Sequence, residues 1–175
     1  MLFSIVICVN RDTGFLKPAL DSVISQDYES PYEILVVANN CTDSLWDYLN
    51  DEYKKNKLVK LYRTNIGQLC FNLNYAINIA QGDYIVRMDA DDISLHNRLS
   101  ILDKKLSSCP DIDVIGSAVE LVDESDNHIS YHIPPLSCKE IMKSYGFKNP
   151  FVHPTTCIRR SLLLSVCGYL GRLQS

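Results

Sequence analysis

At residues 82–92 the chain reads Gly82-Asp83-Tyr84-Ile85-Val86-Arg87-Met88-Asp89-Ala90-Asp91-Asp92. The run from Tyr84 to Met88 has the length and apolar composition of a buried strand, and three carboxylates follow it closely. Carboxylates this close repel one another unless a cation or a hydrogen-bond donor lies among them, and Mg²⁺ and Mn²⁺ prefer oxygen ligands. The stretch therefore predicts a divalent-cation site, formed by Asp89, Asp91 and Asp92, for a phosphate-bearing ligand.

A second interpretation gives these acids a structural role. Asp91 or Asp92 would cap a helix that is predicted to begin near Leu95, because Asp is a favoured N-cap residue and suits the positive end of a helix. If the strand stays extended through the motif, Arg87, Asp89 and Asp91 share one face. The position of the acids directly after a buried strand favours the metal site.

The segments before this motif alternate between strand and helix patterns. Strands are predicted at residues 3–9, 33–38 and 58–62, helices at residues 16–26, 45–53 and 69–80, and Gly82 as the C-terminal stop of the third helix. This order predicts an α/β fold with a mostly parallel central sheet and helices on both faces. Ligands bind such sheets at the carboxyl ends of the strands, where Asn10, Asn39 and residues 89–92 are expected to converge.

The second half of the chain is less regular. Its predicted elements are a helix over residues 95–106, a strand at 113–122, an antiparallel strand at 128–133, one or two helical turns at 137–144, an extended segment at 149–155, a last strand at 155–159 and a short helix at 161–166.

Composition narrows the class of protein. The 175 residues are 46% hydrophobic and 22% charged, with a formal net charge of -4, and no basic excess points to nucleic acid. The seven cysteines form no CxxC pair, which favours reduced thiols in a cytoplasmic protein over a disulfide framework or a zinc site. No signal peptide or transmembrane segment is expected, although peripheral association with the inner face of a membrane stays open.

Further motifs stand in a characteristic order along the chain. They are residues 20–26, residues 33–37 with Thr42-Asp43, Asn65 with Gly67, Leu73-Asn74 with residues 80–82, residues 84–92, residues 149–155 with residues 159–161, and Gly168-Tyr169. Together they resemble the N-terminal portion of a family 2 glycosyltransferase of the GT-A (Rossmann-like, three-layer) fold, of the bacterial kind that builds surface polysaccharides. The resemblance covers nearly the whole chain as a single domain.

The resemblance implies an inverting, metal-dependent enzyme that transfers a sugar from a nucleotide-diphosphate donor, most simply a UDP-sugar, to a saccharide or lipid-linked saccharide. It makes residues 89–92 the DxD element, with Mn²⁺ or Mg²⁺ nearest Asp91 and Asp92 and with Asp89 nearer the ribose or sugar hydroxyls. Arg87 either reaches the diphosphate or pairs with Asp89. The implied donor-binding residues are Cys8, Asn10, Asn39, Asn74, Arg87 and Asp89.

The chain also departs from this family. Ala38-Asn39 stands where paired aspartates usually contact the nucleotide base, and an Asx turn that caps the next helix is the alternative role for Asn10 and Asn39. The usual C-terminal part with the catalytic aspartate is expected to be missing from residues 1–175, so no general base is assigned. His153 is predicted either as a hydrogen-bonded core residue or as a contact near the donor site.

Two other functions compete with sugar transfer. The first is a truncated, non-catalytic remnant that binds a nucleotide sugar. The second is a nucleotidyltransferase, which would need a Gly-rich, basic phosphate loop after the first strand, and residues 10–14 (Asn-Arg-Asp-Thr-Gly) form a poor one. A dinucleotide-dependent oxidoreductase is disfavoured because no GxGxxG occurs in the chain.

Overall fold

A computed structural model describes residues 2–144, 146–147 and 149–171 of the chain. Its elements in chain order are β1 (Phe3–Val9), α1 (Leu16–Ile24), β2 (Tyr32–Asn39), α2 (Asp43–Tyr53), β3 (Val59–Thr64), α3 (Leu69–Ile79), β4 (Tyr84–Met88), α4 (Arg98–Ser108), β5 (Val114–Ile115), β6 (Val119–Val122), β7 (His128–His132), α5 (Cys138–Ser144), a 3-10 turn (His153–Thr155), β8 (Cys157–Arg159) and α6 (Arg160–Ser165).

The main sheet has six strands in the order β3-β2-β1-β4-β8-β5. The first four run parallel, and β8 runs antiparallel to both β4 and β5. The predicted mostly parallel sheet is therefore confirmed, with β1 as a central strand. Because β1 to β4 point the same way, Asn10, Asn40, Asn65 and Asp89 all follow strands at one edge of the sheet.

Helices cover both faces of this sheet, as the α/β prediction requires. One core packs α1, α2 and α4 against the side that contains Ile5, Ile34 and Val86. The other packs α3 and α6 against the side that contains Val6 and Ile85. Successive strand residues alternate between the faces, so Arg87, which pairs in register with Val6, lies on the α3 and α6 side.

Three predicted elements of the second half change in the structure. The strand expected at residues 113–122 is divided, because β5 pairs with β8 whereas β6 pairs with β7 in a separate hairpin. Residues 149–155 are not extended throughout, since Thr155 N donates to Val152 O at 3.0 Å and closes a 3-10 turn around Pro154. The fourth helix begins at Arg98 and not near Leu95.

Gly82 follows α3, but it is not the C-terminal stop of this helix that the sequence predicts. The cap residue of α3 is Ala80, which has an extended backbone. A Cβ atom at Gly82 would lie 2.6 Å from the backbone nitrogen of Ser4. Glycine is therefore needed here because the α3–β4 connection packs directly on the start of β1.

The structure also bears on the membrane prediction and on the thiols. Within the described ranges, none of the helices combines the length and the apolar character that crossing a bilayer requires. The cysteines are free thiols, and none of them is paired in a disulfide.

Candidate active site

The acidic motif lies where β4 ends. The strand stops at Met88 and residues 90–91 form a turn, so the alternation that would place Asp91 on the face of Arg87 and Asp89 does not continue. The Asp89 side chain is 40% exposed, and Asp91 and Asp92 are exposed as well. All three carboxylates are thus available at the edge of the sheet where ligands of parallel sheets bind.

The helix-cap interpretation of these acids is wrong. The N-cap residue of α4 is Asn97, and the first turn of that helix contains no acidic residue. Five residues separate Asp92 from Arg98, so neither Asp91 nor Asp92 is close enough in the chain to cap α4. Helix capping, which was the structural alternative to ligand binding for these acids, therefore does not apply.

The carboxylates of Asp89 and Asp91 both repel that of Asp92. Asp92 is exposed, but desolvation by the surrounding protein atoms raises its pKa, and the nearby charges of Asp89 and Asp91 raise it further. A cation between these side chains would relieve that repulsion. The charges of Arg87 and Arg98 lower the same pKa and offset part of this repulsion.

Arg87 is the group that holds Asp89. It is only 2% exposed, and its two terminal nitrogens donate to Met88 O and to Asp89 Oδ1. Its Nε is buried and has no hydrogen-bond partner among the described residues. Of the two predicted arrangements for Arg87, the structure contains the pair with Asp89.

Arg98 is a component of the site that sequence reasoning missed. Its Nη2 donates to Arg87 O at 2.9 Å and to Pro154 O at 3.1 Å. Burial lowers the pKa of Arg98 to about 10, although the Asp92 carboxylate opposes the shift. Arg98 thus ties the 3-10 turn to β4, and a single arginine at the start of an amphipathic helix gives no sequence signal for this role.

The predicted residues of the first two strands lie at the same edge. Cys8 lies on the α3 side of the sheet close to Arg87 and Asp89, and burial raises the pKa of its thiol to about 12. Asn39 is the last residue of β2 and is buried, in register with Thr64 of β3. Cys8 thus lies beside the acidic motif, whereas Asn39 ends the strand on the other side of β1.

Asn10 is exposed and lies on a different side of this edge. It lines a cavity of about 370 Å³ between the β1–α1 loop and the start of α2, together with Arg11, Asp12, Thr42, Ser44, Leu45 and Tyr48. The N-cap residue of α2 is Thr42, and α1 has no side-chain cap. Neither Asn10 nor Asn39 therefore caps the following helix, which was their alternative role.

A larger groove of about 600 Å³ lies on the outer side of α2, around Trp46 and Lys54, away from the acids.

Asn74 fixes the turn that follows α6. Its Nδ2 donates to Tyr169 O at 2.9 Å, and Tyr169 N donates to its Oδ1 at 2.8 Å. Gly168 has a φ of +72°, and a Cβ there would lie 2.1 Å from the Asn74 oxygen. Both ends of the carboxamide are thus engaged by the turn, and donor binding by Asn74 stays a prediction.

His153 lies beside Arg87 in the first position of the 3-10 turn. Its ring packs edge-on against Tyr169, with centroids 5.3 Å apart and planes at 75°. Burial lowers the pKa of His153, and the positive charge of Arg87 lowers it further. His153 Nε2 is buried without a partner in the described part of the chain, so the prediction of a hydrogen-bonded core histidine is wrong for this atom.

The carboxylates at the end of β4 offer an incomplete set of metal ligands. Among the described residues, no group of three or more His, Cys, Asp and Glu side chains is arranged to hold one. Mg²⁺ is, however, usually bound by one or two carboxylates while substrate phosphates and water complete its shell. The exposed and mutually repelling Asp91 and Asp92 fit that kind of site, in which the ligand supplies part of the coordination.

Solved structures share this fold. TarS residues 1–349 from S. aureus match with a TM-score of 0.76 and 18% identity, over 98% of this chain and 50% of that chain. A mannosyltransferase from Pyrobaculum calidifontis, solved in complex with GDP-Man and Mn²⁺, matches with a TM-score of 0.71 and 19% identity, over 96% of this chain and 47% of that chain. These similarities confirm the predicted GT-A fold.

Curated relatives and a family profile identify the sequence. The O-antigen biosynthesis glycosyltransferase WbnJ of Escherichia coli is 32% identical over 99% of this chain and 68% of its own length. An uncharacterized glycosyltransferase of Methanocaldococcus jannaschii, MJ1057, is 30% identical over 93% of this chain and 57% of its own length. The chain thus spans roughly half to two thirds of the length of these four chains. Residues 4–166 match the sequence model of the family described as Glycosyl transferase family 2. The chain belongs to glycosyl transferase family 2.

Proposed function

We propose that this chain binds a nucleotide-diphosphate sugar and forms the donor-binding part of an inverting, metal-dependent glycosyltransferase of bacterial surface polysaccharide synthesis. The observation that carries the proposal is the acidic motif at the carboxyl edge of four parallel strands. There, Asp89 is held by the buried Arg87, while Asp91 and Asp92 are exposed and cap no helix.

The chain's own residues would divide the work of donor binding. Asp91 and Asp92 would hold a divalent cation together with the donor phosphates, and Asp89, oriented by Arg87, would accept hydrogen bonds from ribose or sugar hydroxyls. A bound Mn²⁺ or Mg²⁺ supplies Lewis-acid stabilisation of the charge on the leaving nucleoside diphosphate. Asn39 can accept a hydrogen bond from a pyrimidine N–H and donate one in return. Cys8 and Asn10 would border the nucleoside, and Cys8 would do so as a neutral thiol.

Relatives support this class of donor. TarS was solved with UDP and with UDP-GlcNAc, and the Pyrobaculum mannosyltransferase with GDP-Man and Mn²⁺. An Escherichia coli relative, 26% identical, is named UDP-Gal:alpha-D-GlcNAc-diphosphoundecaprenol beta-1,3-galactosyltransferase. We therefore propose a UDP-sugar as the donor and a saccharide or lipid-linked saccharide as the acceptor, which would bring the protein to the inner face of a membrane.

No general base is proposed. Asp113 pairs with Arg159 Nε at 2.6 Å, and Asp123 accepts from Ser125 N at 2.8 Å and Asn127 N at 2.9 Å within its own turn. Both acids thus have structural roles. Because these two acids are occupied in structural contacts, donor binding by this chain without sugar transfer is a second candidate function.

The nucleotidyltransferase alternative is disfavoured by the loop after β1. Gly14 N donates to the Asp12 carboxylate at 2.8 Å. A loop that is built to hold phosphate directs such backbone N–H groups toward the ligand, and an acidic side chain at that place repels it.

The proposal is tested by titrating the chain with UDP in the presence and absence of Mn²⁺. Binding is expected to require Mn²⁺ and to weaken by roughly 10- to 100-fold in Asp91→Asn, because one charge-assisted contact is lost. Asp47→Asn, on the exposed face of α2, is the matched control and is expected to bind as the parent chain does. Absent binding, or binding that is independent of metal, contradicts the proposal. Sugar transfer to an acceptor by this chain would contradict the non-catalytic alternative.

A further inference from the structure

The 3-10 turn that contains His153 is fastened to the strand that carries the acidic motif. Arg87 N donates to Thr156 O at 2.8 Å, and Thr156 N donates to His153 O at 3.2 Å. Arg98 adds a second connection through its bonds to Arg87 O and Pro154 O. The backbone of His153 is therefore held at a constant position relative to Arg87.

The ring of His153 is held as well. Tyr169 packs against it edge-on, and the backbone of Tyr169 is bound on both sides by Asn74. A side chain whose neighbours are fixed in this way is preorganised for one orientation. Several contacts therefore fix the position of this one imidazole ring.

Two polar atoms in this region have no hydrogen-bond partner in the described part of the chain. Arg87 Nε and His153 Nε2 are both buried and make no hydrogen bond among the described residues. Buried polar groups are nearly always paired, and an unpaired one carries a free-energy cost. One atom is a donor and the other, in a neutral imidazole, can be an acceptor.

We propose that His153 is a positioning residue of the donor site, which orients the Arg87 guanidinium and through it the Asp89 carboxylate. This inference rests on the proposed function. When Asp89 turns toward the donor, the guanidinium loses part of its pairing, and the imidazole offers it a second acceptor. Direct contact between Nε2 and the donor is a different role, and it is disfavoured because this atom is enclosed behind the surface.

The test compares UDP affinity, in the presence of Mn²⁺, of four variants of the chain. His153→Phe and His153→Leu remove the acceptor and are expected to weaken binding roughly tenfold. His153→Gln retains an acceptor and is expected to remain within about threefold of the parent. His132→Phe, on the exposed strand β7, is the matched control and is expected to bind as the parent does.

Thermal unfolding of the same variants separates positioning from a merely structural role. Parent-like affinity in the folded His153→Phe chain overturns the inference, and so does failure of both apolar variants to fold while the parent is stable. Rescue of affinity by His153→Gln supports it.

A double-mutant cycle with Arg87→Met decides whether His153 acts through Arg87. His153→Phe is expected to produce no further loss of affinity in the Arg87→Met background, since the group it orients is gone. Additive losses indicate independent contact with the donor and overturn the inference. A parent chain that binds no UDP contradicts the proposed function itself, which distinguishes the two failures.

Discussion

Glu33 shows how a single buried acid is stabilised at the amino ends of the strands, away from the candidate site. It is 6% exposed and accepts hydrogen bonds from Ser4 Oγ at 2.5 Å, Lys60 Nζ at 2.6 Å and Gln81 N at 2.6 Å. Burial acts to raise the pKa of this carboxyl, but the hydrogen bonds from Lys60, Ser4 and Gln81 outweigh it and leave the pKa below the ordinary value of 4.5. The charged form is therefore favoured by folding.

We predict that Glu33→Gln lowers the free energy of unfolding at pH 7 by roughly 1–3 kcal/mol, because charge-assisted bonds are lost. A folded-state pKa below the unfolded value means that the contribution is present above pH 4.5 and is lost as the pH falls through the folded-state pKa. The stability difference between parent and variant is thus expected to shrink on acidification below pH 4.5. Urea unfolding across this range measures it, and a difference that does not change with pH would show that the charge of Glu33 is unimportant.

At the residue scale, the sequence pattern predicted where the acids of the site lie but not which partner Arg87 has. The acids of residues 89–92 follow a strand whose apolar run is visible in the sequence, so their edge position was predictable. The partners of Arg87 were left open, because strand alternation cannot say whether a guanidinium points to solvent or to Asp89. Its burial depends on the 3-10 turn, which packs on β4 although it lies more than 60 residues further along the chain.

At the scale of elements, the α3–β4 connection depends on one glycine that touches β1. The Gly82 nitrogen donates to Ser4 Oγ at 2.8 Å, and a Cβ at this position would lie 2.8 Å from the carbonyl carbon of Phe3. The obstructing atoms include backbone, which cannot move aside without disturbing the register of β1 with β4.

We predict that Gly82→Ala lowers the free energy of unfolding by roughly 1–3 kcal/mol, as overpacking does elsewhere. Gly146→Ala is the matched control, because a Cβ at that residue would meet nothing within 4 Å. Thermal or urea unfolding of both variants measures the difference. Equal stability of the two variants would mean that β1 adapts to the added methyl group.

The strand predicted at residues 113–122 is a second feature at the scale of elements, and here the prediction from the sequence was wrong. The apolar character of this run suggests one strand, yet β5 and β6 take their partners from different parts of the chain. Thr155 Oγ1 accepts a hydrogen bond from Ser117 N at 3.1 Å between the two short strands. The break is thus set by a residue 38 positions away, which no local pattern contains.

At the scale of the molecule, apolar surface is distributed unevenly. Both cores are built from the main sheet and its helices, and among the described residues neither includes a side chain between residues 116 and 147. Ile129, Tyr131 and Ile133 are each more than 60% exposed, and Leu136 is 81% exposed. Contiguous apolar surface of this kind favours association.

We predict that the chain self-associates as its concentration rises, with the sedimentation coefficient increasing accordingly. Ile129→Lys combined with Ile133→Lys is expected to reduce the association, because two charges then oppose burial of this surface. Ile101→Lys, at an exposed position of α4, serves as the control and is expected to leave it unchanged. A sedimentation coefficient that stays constant over the accessible concentrations would contradict the prediction.

The sequence by itself determined the alternating strands and helices, the parallel sheet and the position of Asn10, Asn39 and the acidic motif at the carboxyl ends of its strands. These features follow from hydrophobic periodicity, which is a local property that can be read within a dozen residues. Only the tertiary structure decided that Arg87 binds Asp89, that Arg98 ties β4 to the 3-10 turn, and that His153 lies beside them. Burial and hydrogen bonding of those side chains are set by segments far apart in the chain, which meet only when the sheet and its covering helices assemble.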